Sequence, residues 1–529
     1  MSVSKLEPRW PDFVGGSLQW AGFVSCLLQI GIDFSPENAL VSILAFITST
    51  LTFQYIFRSK AYRDYPLSSL SLLGLCVTTQ YGSLLSQTIG WTPLIANLRN
   101  ARYTFCVLSA YQITALLSHQ TYRSIASTLS IRQFLATRVF QPLGVFEIPS
   151  PGNCWTIGII GFLATIVAHP SSDSELASRA IWGLGFLTWL PFILPALYQR
   201  YGDDYCSIRK QAIGLGVYVI CICVTALAFN WRFLLFAGLV TTVLLYLVIY
   251  LQDQRLLRVS HIRNLAFIGV VGYFSTGLAA NVVTAMEIAR EHRERSTPIE
   301  MIEETLAAMQ DFDKLKAFED RKIRQSSFER YDETYVANPL FSRFVETKFD
   351  DNMFYFIEHL SNREERMATE EISERLWAIL PEPVLKLIDP SRSKDVLTYS
   401  MGDFWAVLRT GGSLGGFKTG SMFADGVAIF GEVGFAVVYF FICILIFALW
   451  DSLSLPRKDN PPEISALAML LTWRLFQYSI SGESIASVIT FPVRGFLQSI
   501  GLYLIAYWLS RAAFGCYRPN DPGKRVISN

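Results

Sequence analysis

Apolar residues run along this chain in blocks of roughly 20, separated by short polar breaks. A helix needs about that length to cross ~30 Å of hydrocarbon, so each block predicts a membrane-spanning helix. The blocks lie near 13–32, 38–56, 66–86, 103–118, 154–169, 179–198, 211–229, 231–251, 264–285, 428–450, 463–480 and 485–510, about 12 spans. The 103–118 block is short and polar. Pro492 and Arg494 interrupt 485–510, which leaves a re-entrant segment plus a crossing helix as a second reading there. One long hydrophilic stretch, 287–425, stands apart.

Composition agrees with the pattern. Hydrophobic residues make up 51% of the 529 positions and charged residues only 17%, against about 25% charged in ordinary soluble domains. The distribution of charge also predicts orientation, because Lys and Arg of short loops stay on the cytoplasmic side. With the N-terminus inside, segments 1–12, 57–65, 119–140, 199–210, 252–263, 451–462 and 511–529 carry 20 basic residues. The opposing short loops 32–37 and 170–178 carry none, and 87–102 carries only Arg99 and Arg102. Both termini are therefore expected in the cytoplasm. No small-residue cleavage site follows the first apolar block, which is expected to remain as the first helix.

The predicted architecture is an all-α polytopic membrane protein. Residues 1–286 supply nine transmembrane helices, 287–425 one large, mainly helical extracytoplasmic lid, and 426–529 three more helices and a cytoplasmic tail. The lid carries 19 basic and 27 acidic residues. Thr297-Pro298-Ile299-Glu300 has the capping-box pattern, followed by an apolar stripe at Ile302, Leu306 and Met309. A second amphipathic helix is expected over about 370–380, with Ile372, Leu376 and Ile379 on one face, stopping at Pro381-Glu382-Pro383. Phe341, Phe344, Phe349, Met353, Phe354, Phe356 and Ile357 are too apolar for a solvated tether and should pack on the membrane helices or at the lipid interface. None of the nine cysteines falls between 287 and 425, so the lid has no disulfide.

Residues 409–434 hold eight glycines in 26 positions where the chain returns to the membrane. Glycines permit close backbone approach and let N–H groups converge on an anion; the same composition also suits a hinge. Charges placed where they are expensive come next. Arg474 lies inside the 463–480 block and Arg494 in the broken last one, with Glu483 between them; Arg99 and Arg102 stand at the outer mouth of the fourth span. An arginine near the bilayer centre costs at least ~2.5–3.5 kcal/mol and usually faces a cavity or a partner. Gathered at one external cavity, arginines suit a diphosphate; singly, they fit snorkelling or an ion pair such as Arg474–Glu483. The five histidines show no ligand spacing and no DxD motif or Ser-His-Asp ordering rises above chance, so metal-free chemistry without a cofactor is expected.

Leu380-Pro381, Tyr399, Arg409, Gly420-Ser421, Asp425 and Phe430-Gly431-x-x-Gly434, in a late external loop and the helix after it, resemble Wzy-type oligosaccharide repeat-unit polymerases. Close similarity covers roughly 60 residues, and Arg409 with Gly420 fits an R-x₁₀-G spacing. The usual acid of the family is Glu where this chain has Asp425, and no second R-x₁₀-G occurs in the earlier external loops. The resemblance implies an architecture like that of GT-C glycosyltransferases in a bacterial cytoplasmic membrane. It implies that a growing glycan on undecaprenyl diphosphate is transferred to a sugar hydroxyl of the next lipid-linked repeat. Partners would be the lipid-linked oligosaccharide, the bilayer, a chain-length regulator and a flippase, with no nucleic acid. Arg409, Lys418, Arg474, Arg494 and Arg102 would grip the diphosphate. Asp425, Glu483 and His359 would be the acid–base candidates, with Glu432 also placed near the mouth, and Gly420, Gly431 and Gly434 would shape the loop. An O-antigen ligase-like transferase, a transporter or flippase, and a scaffold subunit of a secretion complex remain alternatives.

Overall fold

The computed structural model describes residues 10–125, 131–167, 181, 183–253, 280–290, 297–325, 331–336, 338, 341–358, 360–411, 413–457 and 461–517. Five helices among them are long and apolar enough to cross a membrane: Pro11–Ile32, Pro36–Arg58, Arg209–Ala228, Met422–Asp451 and Ile485–Phe514. Pro151–Val167, Leu234–Ile249 and Ala280–Ala289 are shorter apolar helices. Most of the 264–285 block lies outside the described residues.

Burial runs opposite to that of a protein in water. On Pro36–Arg58, Asn38, Ser42, Thr48, Ser49 and Thr52 are buried while Leu40, Ile43, Ile47 and Leu51 are exposed. Hydrocarbon accepts exposed leucines without cost, whereas an unpaired polar group in it costs several kcal/mol. Two of these polar residues bond inward: Gln112 donates to Thr52 Oγ1 at 3.1 Å, and Asn38 Nδ2 to Gln29 O at 2.8 Å. The described residues form a mostly helical molecule suited to lipid, and the strands among them are two residues long.

Several spans differ in form from their expectation. The short, polar 103–118 block is the middle of an uninterrupted helix, Ala101–Ser124; its polar residues face other helices. Residues 66–89 form one rod whose centre is a π-turn at Val77–Tyr81. Pro492 does not break the last span. A π-turn at Phe491–Gly495 absorbs the missing N–H and the helix continues to Phe514. The interruption falls instead in 463–480, which forms two short helices, Ala466–Leu470 and Thr472–Gln477, and leaves helical geometry at Tyr478. Likewise the described part of the 179–198 block holds a 3₁₀ segment, Gly185–Ile193, running into Leu194–Tyr201.

The lid is folded and docked. The Thr297 capping box forms at the start of Pro298–Gln310. The second expected helix runs longer, Asn362–Trp377, with Ile372 buried. Between them Thr347–Ile357 packs on Ala101–Ser124, Met401–Thr410 and the return helix Met422–Asp451. Its Phe354 meets Tyr103 edge-on at 5.5 Å, and Phe344 meets Trp473 at 5.6 Å. Asp351, fully buried, accepts the Arg99 and Asn100 N–H groups and the Thr104 hydroxyl, so it ties the start of Ala101–Ser124 to the lid.

Candidate functional site

A cavity of about 940 Å³ opens where the ends of several apolar segments meet. One wall is the hairpin between Ile208–Ala228 and Arg232–Asp253. Asn230 takes the left-handed conformation (φ 52°), which turns the chain within three residues. The Asn230 amide then donates to Met286 O at 2.8 Å, and Arg232 pairs with Glu287. These bonds tie the hairpin to the segment ending at Arg290, which also lines the cavity. The facing wall is Thr472–Gln477, which presents Trp473, Arg474 and Gln477. This segment packs against Pro66–Cys76 so closely that a Cβ on Gly74 would overlap the Phe476 carbonyl.

Arg474 and Glu483 both line the cavity, yet they form no ion pair with each other. The Arg474 guanidinium lies 5.2 Å over the Phe491 ring and has no carboxylate partner among the described residues. Burial raises the Glu483 carboxyl above its ordinary range, and Glu333 nearby adds to the shift. Behind this wall Gln477 Nε2 donates to Glu346 at 3.1 Å. Burial, reinforced by Asp350, pushes the Glu346 carboxyl up to about 8. Arg290, Arg474 and Arg232, the last paired with Glu287, thus line one cavity together with Glu483. Such a site favours an anionic group whose charge grows during reaction.

The other residues expected to bind or react are placed elsewhere. Arg409 is exposed and lies 5.8 Å over Tyr355, a ring it shares with Arg99 at 4.4 Å. Arg102 is exposed on Ala101–Ser124, and Arg494 is exposed beside Gln498, at 3.4 Å. None of these three lines the cavity. Lys418 pairs with Asp403 at 3.4 Å. His359 lies outside the described residues. Glu432 bonds the Tyr103 hydroxyl at 2.7 Å, away from the cavity.

Asp425 does not line the cavity. It is buried, accepts the Trp405 indole N–H at 2.8 Å and the Ile485 N–H at 3.1 Å, and so joins the return helix to the start of the last one. Each of its oxygens thus accepts a bond from within the protein. The glycine-rich loop does converge N–H groups on an anion, but the anion is the chain's own Asp403. That carboxylate accepts from Phe417 N at 2.8 Å and Lys418 N at 3.1 Å. Burial pushes the Asp403 carboxyl up, and the N–H groups of Lys418, Phe417 and Ser400 more than reverse this, holding it below the ordinary range. Gly420 is required by close approach, since a Cβ there would overlap the Glu483 carbonyl. Gly431 (φ 67°, ψ 170°) breaks the return helix between its first two turns and its membrane portion, and Gly434 lies beneath Phe430.

No family model, curated protein or solved structure matches the chain. The site therefore rests on its own geometry.

Arg232 and Arg290 were not singled out by the sequence reading. Arg232 opens the 231–251 block, and the rule that marked Arg474 applies to it equally. A second signal is local: Trp231-Arg232 and Trp473-Arg474 are the two Trp-Arg steps in the sequence, and all four residues line the cavity.

Proposed function

We propose that this protein is a membrane glycosyltransferase of the repeat-unit polymerase type. It joins polyprenyl-diphosphate-linked oligosaccharides at the outer face of the cytoplasmic membrane. The observation that carries this reading is the meeting of Arg232, Arg290, Arg474 and Glu483 around one cavity at the ends of apolar helices. The positions of short-loop Lys and Arg, with about 12 spans and both termini cytoplasmic, assign these ends to the outer side. A transporter would more naturally carry its charges near the midplane of two related halves.

In the proposed reaction the acceptor sugar hydroxyl attacks the anomeric carbon of the donor glycan. The C–O bond to the diphosphate breaks, and its electron pair leaves with the diphosphate oxygen. The hydroxyl proton passes to Glu483, the carboxylate that lines the same cavity. Arg474, Arg232 and Arg290 stabilise the leaving diphosphate more than the bound ground state. The apolar lower wall, with Leu234, Val283 and Leu502, suits the start of a polyprenyl chain.

Deletion of the gene should leave single-repeat glycan and remove long chains on a surface-glycan gel. Arg474→Ala should reproduce the deletion at normal protein level. Arg409→Ala, Arg494→Ala and Arg102→Ala, whose side chains lie outside the cavity, should keep long chains. Normal chain length in Arg474→Ala, or loss of chains only in the other three, would overturn the assignment. Transfer of glycan to a core acceptor without any change in repeat number would instead identify a ligase.

A further inference from the structure

The proposed reaction needs charge at a diphosphate, but three arginines alone would hold any diphosphate. The cavity offers more than charge. Trp231 and Arg232 stand side by side at the start of Arg232–Asp253, and Trp473 and Arg474 stand side by side on Thr472–Gln477. Two chain segments some 240 residues apart therefore present the same indole–guanidinium pair to one space. Both indoles are half-buried, with surface left for a ligand. Each ring has an aromatic neighbour: Phe229 lies 5.5 Å from Trp231, and Phe344, which also lines the cavity, meets Trp473 edge-on at 5.6 Å. An aromatic face buries apolar surface at little cost in side-chain entropy. Amides and hydroxyls of Asn230, Gln477, Ser487 and Gln498 complete the wall. Asn230 is itself 6% exposed, and its Oδ1 has no partner among the described residues.

This mixture of chemistries has a definite complement. A guanidinium takes phosphate oxygens; an indole takes the apolar C–H face of a pyranose; amides take ring hydroxyls. We infer that the two Trp-Arg pairs form a recognition site for a sugar joined directly to a diphosphate, so that the cavity selects glycosylated lipid diphosphate over the bare lipid diphosphate released by reaction. The inference rests on the proposed function and sharpens its substrate class. Size agrees: about 940 Å³ is at the upper end of the ~300–1,000 Å³ of small-molecule sites. It suits a diphosphate with its first sugars rather than a folded polymer. Selection of this kind also limits inhibition by product, because the bare product is held less tightly than the incoming donor.

The test uses the full chain in lipid nanodiscs and short-chain probes: farnesyl diphosphate, and farnesyl diphosphate bearing glucose, galactose or N-acetylglucosamine. Binding is followed by tryptophan fluorescence and by competition. At least one glycosylated probe should bind tenfold or more tightly than the bare diphosphate. Trp231→Leu and Trp473→Leu should bring that ratio toward one, while Trp→Phe at the same positions should keep most of it. Arg232→Gln and Arg474→Gln should weaken bare and glycosylated probes by the same factor. Because the ratio is taken within each variant, a lower folded fraction cancels. Wild-type binding of the bare diphosphate with no preference for any glycosylated probe overturns the sugar site and leaves the polymerase reading standing. A ratio unchanged in both leucine variants also overturns it. Failure of the wild type to bind any probe overturns both.

Discussion

Asp351 offers the sharpest measure of how the lid is held to the membrane helices. It is fully buried, and its two oxygens accept the Arg99 N–H at 2.8 Å, the Asn100 N–H at 3.0 Å and the Thr104 hydroxyl at 3.2 Å, with Lys348 Nζ at 3.4 Å. Replacement by alanine removes the acceptor of the Arg99 and Asn100 N–H groups, which lead into Ala101–Ser124, and of the Thr104 hydroxyl. Hydrogen bonds to a charged group contribute about 1.5–3 kcal/mol each, and breaking a buried pair costs about 3–5 kcal/mol. Lys348 retains the Asn97 carbonyl, and Asn100 still caps Tyr103 N, so the lower end applies, about 3 kcal/mol. At 1.4 kcal/mol per decade this raises the open population of the lid roughly a hundredfold. Asp351→Asn keeps one acceptor but turns an amide donor toward other donors, and should cost about 2 kcal/mol. The assay is the rate of lid cleavage by dilute protease in nanodiscs, where cleavage follows the open population. Asp395→Asn, on the exposed lid surface, serves as control. An Asp351→Ala protein cleaved within threefold of the wild-type rate would refute the docking argument.

Three further predictions come from groups the lid and its neighbours bury. Burial pushes the Asp350 carboxyl up to about 7, against a bond from Ser421 at 2.5 Å, and Glu346 up to about 8. Because both folded-state values exceed the unfolded ones, the docked lid binds more protons, and its stability falls as pH rises from about 4 to about 8; protease protection should be greater at pH 5.5 than at pH 8, and Asp350→Asn should flatten part of that slope. Asp425→Asn keeps an acceptor for Trp405 and loses the one for Ile485 N–H, which costs about 1–3 kcal/mol. Any loss of chain length in that variant should track a loss of folded protein; full folding with abolished polymerisation would restore Asp425 to the chemistry. Gly74→Ala drives a methyl into the Phe476 carbonyl. Overpacking of this kind costs about 1–3 kcal/mol, and it should weaken farnesyl diphosphate binding by displacing the wall that carries Arg474.

Comparison of particular elements explains what could be read early. The Thr297 capping box and the Ile372 stripe were legible because caps and amphipathic faces are local, fixed by residues within four positions of each other. The break in 463–480 was not, because nothing local distinguishes that block from a span; its form is set by packing against Pro66–Cys76. The glycine-rich loop was ambiguous for a related reason. Glycines announce that a backbone must come close to something, and only the fold identifies Asp403 and the Glu483 carbonyl as those things. Arg494 and Arg474 looked equivalent as costly charges, although one is exposed and the other lines the cavity.

The sequence by itself determined that this chain is built for lipid. Transfer of apolar side chains and the charge bias of loops are summed residue by residue, without reference to any partner. It also determined the existence of a folded acidic lid, since cap and stripe are short-range. Only the tertiary structure decided which charges share a space. Arg232, Arg290 and Arg474 are separated by tens to hundreds of residues, and a hairpin turn at Asn230 and the close contact at Gly74 bring them to one cavity. Electrostatic cooperation depends on distances in space, and those are fixed by packing between elements that no linear pattern records.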